Sequence, residues 1–334
     1  VLAEHRASGP VPAFAPVTGS KEKKKNMAGS SKKAIFAALI GNSLIAVTKF
    51  AAAVHTGSAA MMSEGIHSLV DSGNQVLLLW GIRSANRPPS PEFPFGHGKE
   101  IYFWSFVVAM LIFALGGTVS LYKGWQHLAH PTTIENIAIN YVVLGFAVVF
   151  ETAALWVALK EFNLSRGSRS IYRAIVKGKD PTLFVVVFED TAALLGLLVA
   201  LAGLIMYQLT GNPVYDAIAS MGIGVVLILT ALILAIESKS LLIGESADPK
   251  IVNGIRAILG GDERLITVNE VATLHMGPDF IVVTISVDFV DALTSAEIEQ
   301  AVTQLTRTIK ATDLRIKRVF IEAERQLDHQ KKVT

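Results

Sequence analysis

The sequence predicts an α-helical membrane protein with six transmembrane helices and a small C-terminal α+β domain. Three observations carry that fold class. Of the 334 residues, 51% are hydrophobic and 17% charged, and the mean hydropathy of +0.47 is too high for an ordinary soluble chain. Apolar stretches long enough to cross about 30 Å of hydrocarbon recur near 34–54, 58–82, 101–122, 138–159, 182–208 and 215–237. After Glu237 the pattern changes to short alternating runs and capped amphipathic segments. The chain therefore divides into a tail 1–31, a transmembrane domain 32–240, a soluble domain 241–325 and a C-terminal tail 326–334.

Residues 1–26 are polar, rich in Pro and Ala, and end in the basic run Lys21–Lys25. They hold no apolar core of a secretory signal, and Met27-Ala-Gly-Ser-Ser-Lys-Lys looks like a second start of translation. The tail is expected to be disordered. Span two is the most polar with span five, carrying Ser63, Glu64, His67, Ser68, Asp71, Ser72, Asn74 and Gln75, so it belongs in the bundle interior. Lys and Arg concentrate before span one, after span two and after span four, while the loops after spans one and five hold none and that after span three only Lys123. Both termini are therefore expected on the cytoplasmic side. The compact, short loops suggest a bacterial inner membrane.

Beyond span six, Asp248-Pro249 supplies an N-cap and a proline at the first helical position, opening a helix to about Leu259. Runs at 266–274 and 280–289 read as strands joined by the turn Gly277-Pro278-Asp279. Thr294-Ser295-Ala296-Glu297 is a capping box ahead of a helix to about Ile309, and a last strand lies near Arg315–Glu322. The order αββαβ predicts a small sheet with its helices on one face.

The net charge of +2 gives no reason to expect a nucleic-acid partner. Zero cysteines exclude disulfides and thiolate metal sites, leaving His, Asp, Glu and Asn as donors. His67 and Asp71 stand one helical turn apart and project from one face of span two, a pairing suited to a divalent transition metal. A second acidic pair, Glu189–Asp190, interrupts the apolar run of span five. Ionisable groups at bilayer depth persist where they face one another, a water-filled cavity or an ion. Taken alone, His67 also fits a core histidine and Asp190 a purely structural role, and Glu189 fits a helix-packing acceptor or a protonation site. Asn42 in span one is by composition interhelical glue as readily as a ligand. Glu151 in span four suits either packing or proton movement.

Ser63-Glu64-Gly65-Ile66-His67-Ser68-Leu69-Val70-Asp71-Ser72 resembles span two of the cation diffusion facilitator family of metal/proton antiporters, and Phe95-Gly96-His97-Gly98-Lys99-Glu100 resembles its signature before span three. Asp216 and Ser220 opening span six, and the αββαβ tail, are also similar; the likeness covers roughly 32–324. The resemblance implies six spans, a homodimer, a cytoplasmic ferredoxin-like domain and a four-ligand tetrahedral site between spans two and five. It also implies rocking of spans one, two, four and five against an anchored pair, three and six. The family's span-five pattern His-x-x-x-Asp matches Asp190, but its His position is Val186 here. Phe188-Glu189-Asp190-Thr191-Ala192-Ala193-Leu194-Leu195-Gly196 instead looks like the zinc-transporter-9-like branch. The ligands implied are His67, Asp71 and Asp190, with the fourth position left to water, Asn42 or Glu189. A second loop site at His97 looks incomplete, because Phe93 stands where the family has an earlier histidine.

The expected activity is export of a divalent metal, Zn2+ first with Fe2+, Co2+ and Mn2+ behind, in exchange for protons that compete for the same donors. Metal and protons are thus substrates, with the bilayer and a second copy as partners and no resident cofactor. No Walker-type phosphate loop is present, which disfavours an ATP-driven pump. Two other classes remain: a transport-inactive metal sensor or regulatory subunit, and an intramembrane metalloenzyme. The enzyme reading lacks a nucleophile or base beside the site.

Overall fold

The computed structural model describes residues 39–166 and 181–333. The expected tail 1–31 and the basic residues Arg169, Arg173, Lys177 and Lys179 after span four lie outside them. Among the described residues six long helices coincide with the six apolar stretches: α1 Leu39–Thr56, α2 Ala59–Ala85, α3 Glu100–Ala129, α4 Ile137–Arg166, α5 Pro181–Thr210 and α6 Val214–Ile243. All but α2 are long and apolar enough to cross a membrane. The exception follows from its polar residues, most of which are buried inside the bundle. The other helices turn Leu44, Val54, Phe146, Leu209 and Ile236 outward, each more than 60% exposed. Apolar faces of that extent suit lipid rather than water.

α2 is the element on which the interior is organised. Gly57 takes a positive φ of 73° at the turn out of α1. Ser58 then caps α2, its hydroxyl accepting from the Met61 N–H at 3.1 Å. The same hydroxyl donates to Asp216 at the start of α6 (2.6 Å), and the Asp216 carboxylate also accepts from the Ala59 N–H at 2.6 Å. An acid on one helix thus neutralises the N-terminus of another. From there α2 packs against α3, α5 and α6.

α3 and α6 approach to backbone contact. A Cβ on Gly124 would stand 2.8 Å from the Ala217 carbonyl oxygen, and one on Gly224 would stand 2.9 Å from that of Gly117. Only glycine permits that spacing. Next to this contact α3 is widened by a π turn over Ile112–Gly117, which the sequence did not signal.

The C-terminal part is built from α7 Pro249–Gly260, β1 Leu265–Gly277, β2 Phe280–Phe289, α8 Ser295–Thr312 and β3 Ile316–Ala323, in the expected αββαβ order. β2 is central, antiparallel to β1 and parallel to β3. Alternate residues of β2, Ile281, Val283, Ile285 and Val287, share one core with Ile255 and Leu259 of α7 and Leu305 and Ile309 of α8. The helices therefore cover one face. The predicted caps form: Asp248 accepts from the Lys250 N–H, and Thr294 and Glu297 make the reciprocal box. Residues read as a C-terminal tail instead form a short helix, α9 Gln326–Val333, whose first N–H donates to Asp288 at 3.1 Å.

The loop between α2 and α3 rests on this sheet. Gly98 and Gly277 meet backbone to backbone, a Cβ on Gly277 standing 3.1 Å from the Gly98 Cα. Phe95 meets Phe320 of β3 edge to face, with centroids 6.5 Å apart. Gly96 has the positive φ of a tight turn, 79°. Lys99 donates to the Leu242 carbonyl at the end of α6.

Candidate metal site

The i, i+4 spacing on α2 brings His67 Nδ1 to 3.4 Å from Asp71 Oδ1, with the two residues 1% and 7% exposed. That separation is too long for a good hydrogen bond. Both His67 ring nitrogens and Asp71 Oδ1 are buried without a hydrogen-bond partner among the described residues. Buried polar atoms are nearly always partnered, so donors left open together mark a place for something that binds them. Glu64 Oε1, Asn74 Oδ1 and Gln75 Oε1 on the same helix are open as well.

The acids of α5 approach this face from the other side. Glu189 is buried and its Oε1 accepts from Asn74 Nδ2 at 2.8 Å, so one of its oxygens is occupied. Asp190 and Glu189, together with Glu151 of α4, act electrostatically on Asp71. Among the described residues, however, no three His, Asp or Glu side chains gather closely enough to hold an ion. His67 and Asp71 are brought together; Asp190 and Glu189 do not share a coordination sphere with them in this conformation. Val186, at the position of the missing histidine, packs as an apolar residue against the main core. Asn42 is buried on α1. His97 lies against the Phe93 ring, centroids 4.5 Å apart, with no cluster of donors around it among the described residues.

The α1 residue that reaches α2 is one the sequence reading passed over. Lys49 Nζ lies 2.9 Å from Glu64 Oε2 and 2.8 Å from Ser68 Oγ, with Lys49 and Glu64 both fully buried. Its signal was available: Lys49 is the only Lys or Arg in Leu39–Thr56. At the Ser58 end, His127 Nε2 stands 3.6 Å from Asp216.

A bundle of apolar helices enclosing open imidazole and carboxylate donors defines a multi-pass integral membrane protein with a polar interior. Residues 35–243 match the family model described as the cation efflux transmembrane domain. The chain is 34% identical over 259 residues to the proton-coupled zinc antiporter SLC30A9, mitochondrial, of Homo sapiens, covering 77% of this chain and 46% of that protein. Its counterpart in Xenopus laevis is 36% identical over the same length and shares. Metal tolerance protein C4 of Arabidopsis thaliana is 32% identical over 261 residues, 78% of this chain and 57% of that one. The chain belongs to the cation efflux (cation diffusion facilitator) family, in the zinc-transporter-9-like branch that Phe188–Gly196 had indicated. It spans about half the length of the SLC30A9 relatives, 46%.

Proposed function

We propose that the chain is a secondary active transporter that exports a divalent transition metal from the cytoplasm in exchange for protons, with Zn2+ as the first substrate and Fe2+, Co2+ and Mn2+ behind it. One observation carries this reading: His67 and Asp71 are buried side by side with their donor atoms open. A site of imidazole and carboxylate must lose protons to gain metal, so a proton gradient can drive metal out without ATP. The zinc antiporter names of the animal relatives support the choice of metal. This makes the chain a transporter and not an enzyme.

In this reading His67, Asp71 and Asp190 bind the ion, and the last position falls to water, Asn42 or Glu189. A shift of α5 along α2 brings Asp190 in, and breaking the Asn74–Glu189 hydrogen bond frees Glu189. The backbone contact between α3 and α6 suits a fixed pair against which the others rock. All six helices α1 to α6 span the bilayer, 32–240 forming the transmembrane domain and 241–325 a ferredoxin-like cytoplasmic domain that pairs two copies into a homodimer. Both termini face the cytoplasm. The short loops suit a bacterial inner membrane; the animal relatives are named mitochondrial, and fractionation of the native host decides between the two.

The test is metal uptake into inside-out proteoliposomes with and without an acidic lumen. Uptake should require the pH gradient and fall at least about 100-fold in Asp71→Ala and Asp190→Ala. Uptake that ignores the gradient means a passive channel, and uptake unchanged in both variants removes the site. A transport-inactive sensor is the second reading, favoured by Val186 and by the absence of a three-donor cluster among the described residues. It expects no uptake in the parent and uptake restored by Val186→His.

A further inference from the structure

Lys49 and Glu64 are each 0% exposed, and the ammonium is held by two oxygens, Glu64 Oε2 at 2.9 Å and Ser68 Oγ at 2.8 Å. The second carboxylate oxygen, Glu64 Oε1, has no partner among the described residues and points at α5 beside Gly196, where a Cβ would come within 2.5 Å of it. These oxygens lie on the α2 face that carries the metal pair. Glu64 precedes His67 by three residues and Ser68 precedes Asp71 by three, which on a helix makes them neighbours. They are displaced from that pair toward the Ser58 end of α2. Lys49 also acts electrostatically on His67, Asp71 and the Glu151 carboxylate of α4.

The arrangement around Lys49 Nζ is that of a cation site: one carboxylate oxygen and one hydroxyl in contact, a second carboxylate oxygen left open beside Gly196, and walls that exclude water. What fills it is a cation tethered to the chain. We propose that Glu64 and Ser68 form a second cation position on the route of the transported metal, occupied by the Lys49 ammonium when the route is empty. An ion leaving His67–Asp71 toward the Ser58 end displaces the ammonium, and the ammonium displaces the ion in turn. The exchange keeps the Glu64 carboxylate paired throughout, and the displaced ammonium still faces the Asp71 and Glu151 carboxylates on which it acts, so neither charge is isolated at that depth. An all-oxygen shell holds a borderline-soft ion such as Zn2+ less firmly than one containing imidazole, so the second position favours release.

This inference rests on the metal-transport reading, and its test separates the two. The full chain, purified in detergent, is titrated with Co2+, and the ions bound per protomer are counted by calorimetry and by the visible absorption of the bound metal. The wild type should bind one ion, Lys49→Met two, and Lys49→Met with Glu64→Gln one again. A single ion in both the wild type and Lys49→Met overturns the second position while leaving the first intact. No ion in the wild type removes the transport reading and this one with it. Ser68→Ala, a mild change, covers the case in which Lys49→Met does not fold. Its maximal uptake rate in proteoliposomes should fall about five-fold with the metal KM nearly unchanged, as expected when only a later step is slowed. A rate equal to wild type overturns the proposal.

Discussion

Lys49 reaches three acids of the bundle with one charge: it pairs with Glu64 and acts on Asp71 and Glu151. A buried ion pair is dear to break and cheap to replace, because removing one partner strands the other without solvent. Lys49→Met alone should therefore lower stability by about 3–5 kcal/mol, whereas Lys49→Met with Glu64→Leu should lie close to the wild type. Chaotrope unfolding of the purified protein in micelles measures both. The pair also marks the limit of what single-residue reading reached. His67 and Asp71 were legible because helix periodicity alone puts i and i+4 on one face. The Lys49–Glu64 pair joins two helices, and no spacing along the chain encodes which lysine meets which acid. Val186 is a similar case: sequence shows that a donor is missing, but only packing shows that the gap is filled by apolar contacts.

Helix and strand boundaries followed local chemistry closely where caps, prolines and turn residues fixed them, as at Ser58, Asp248-Pro249, Thr294 and Gly277-Pro278-Asp279. The π turn in α3 had no such marker; the Thr118 hydroxyl donates to the Phe113 carbonyl within it, and it packs against α6 where Gly117 and Gly224 meet. Gly224→Val tests that neighbour relation. The added side chain meets the Gly117 carbonyl and Leu121 backbone, so the variant should lose roughly 1–3 kcal/mol, read as a lower thermal midpoint in micelles. In the sheet, one short device enters two strands. Asp262 before β1 and Asp313 before β3 each accept from the backbone N–H and the guanidinium of the Arg two residues on, Arg264 and Arg315. The guanidinium hydrogen bonds hold both carboxyls below the ordinary value of 3.8. Their contribution is thus complete above about that pH and is lost as the pH falls through the lowered values. Hydrogen exchange at the starts of β1 and β3 should stay flat from pH 7 to about 4, after correction for intrinsic rates, and accelerate only below it.

Taken as a whole, the chain joins a lipid-facing bundle to a small water-facing sheet, and the two parts meet where the α2–α3 loop lies on β1 and β3. The absence of cysteine makes the orientation directly measurable. Single cysteines placed at Ser90 and Ser246 should react with a membrane-impermeant maleimide from the cytoplasmic side, and one at Thr132 from the opposite side only. Gly98 and Gly277 give the parts a point of contact with no side chains to cushion it. Gly98→Val should leave the helices folded yet cut uptake several-fold, about as a positioning defect does. A contact made of bare backbone is also a keyhole: a synthetic binding protein that slid a single side chain between the two glycines would prise the loop off the sheet, and so offers a way to arrest this molecule from outside the membrane without touching its ion path.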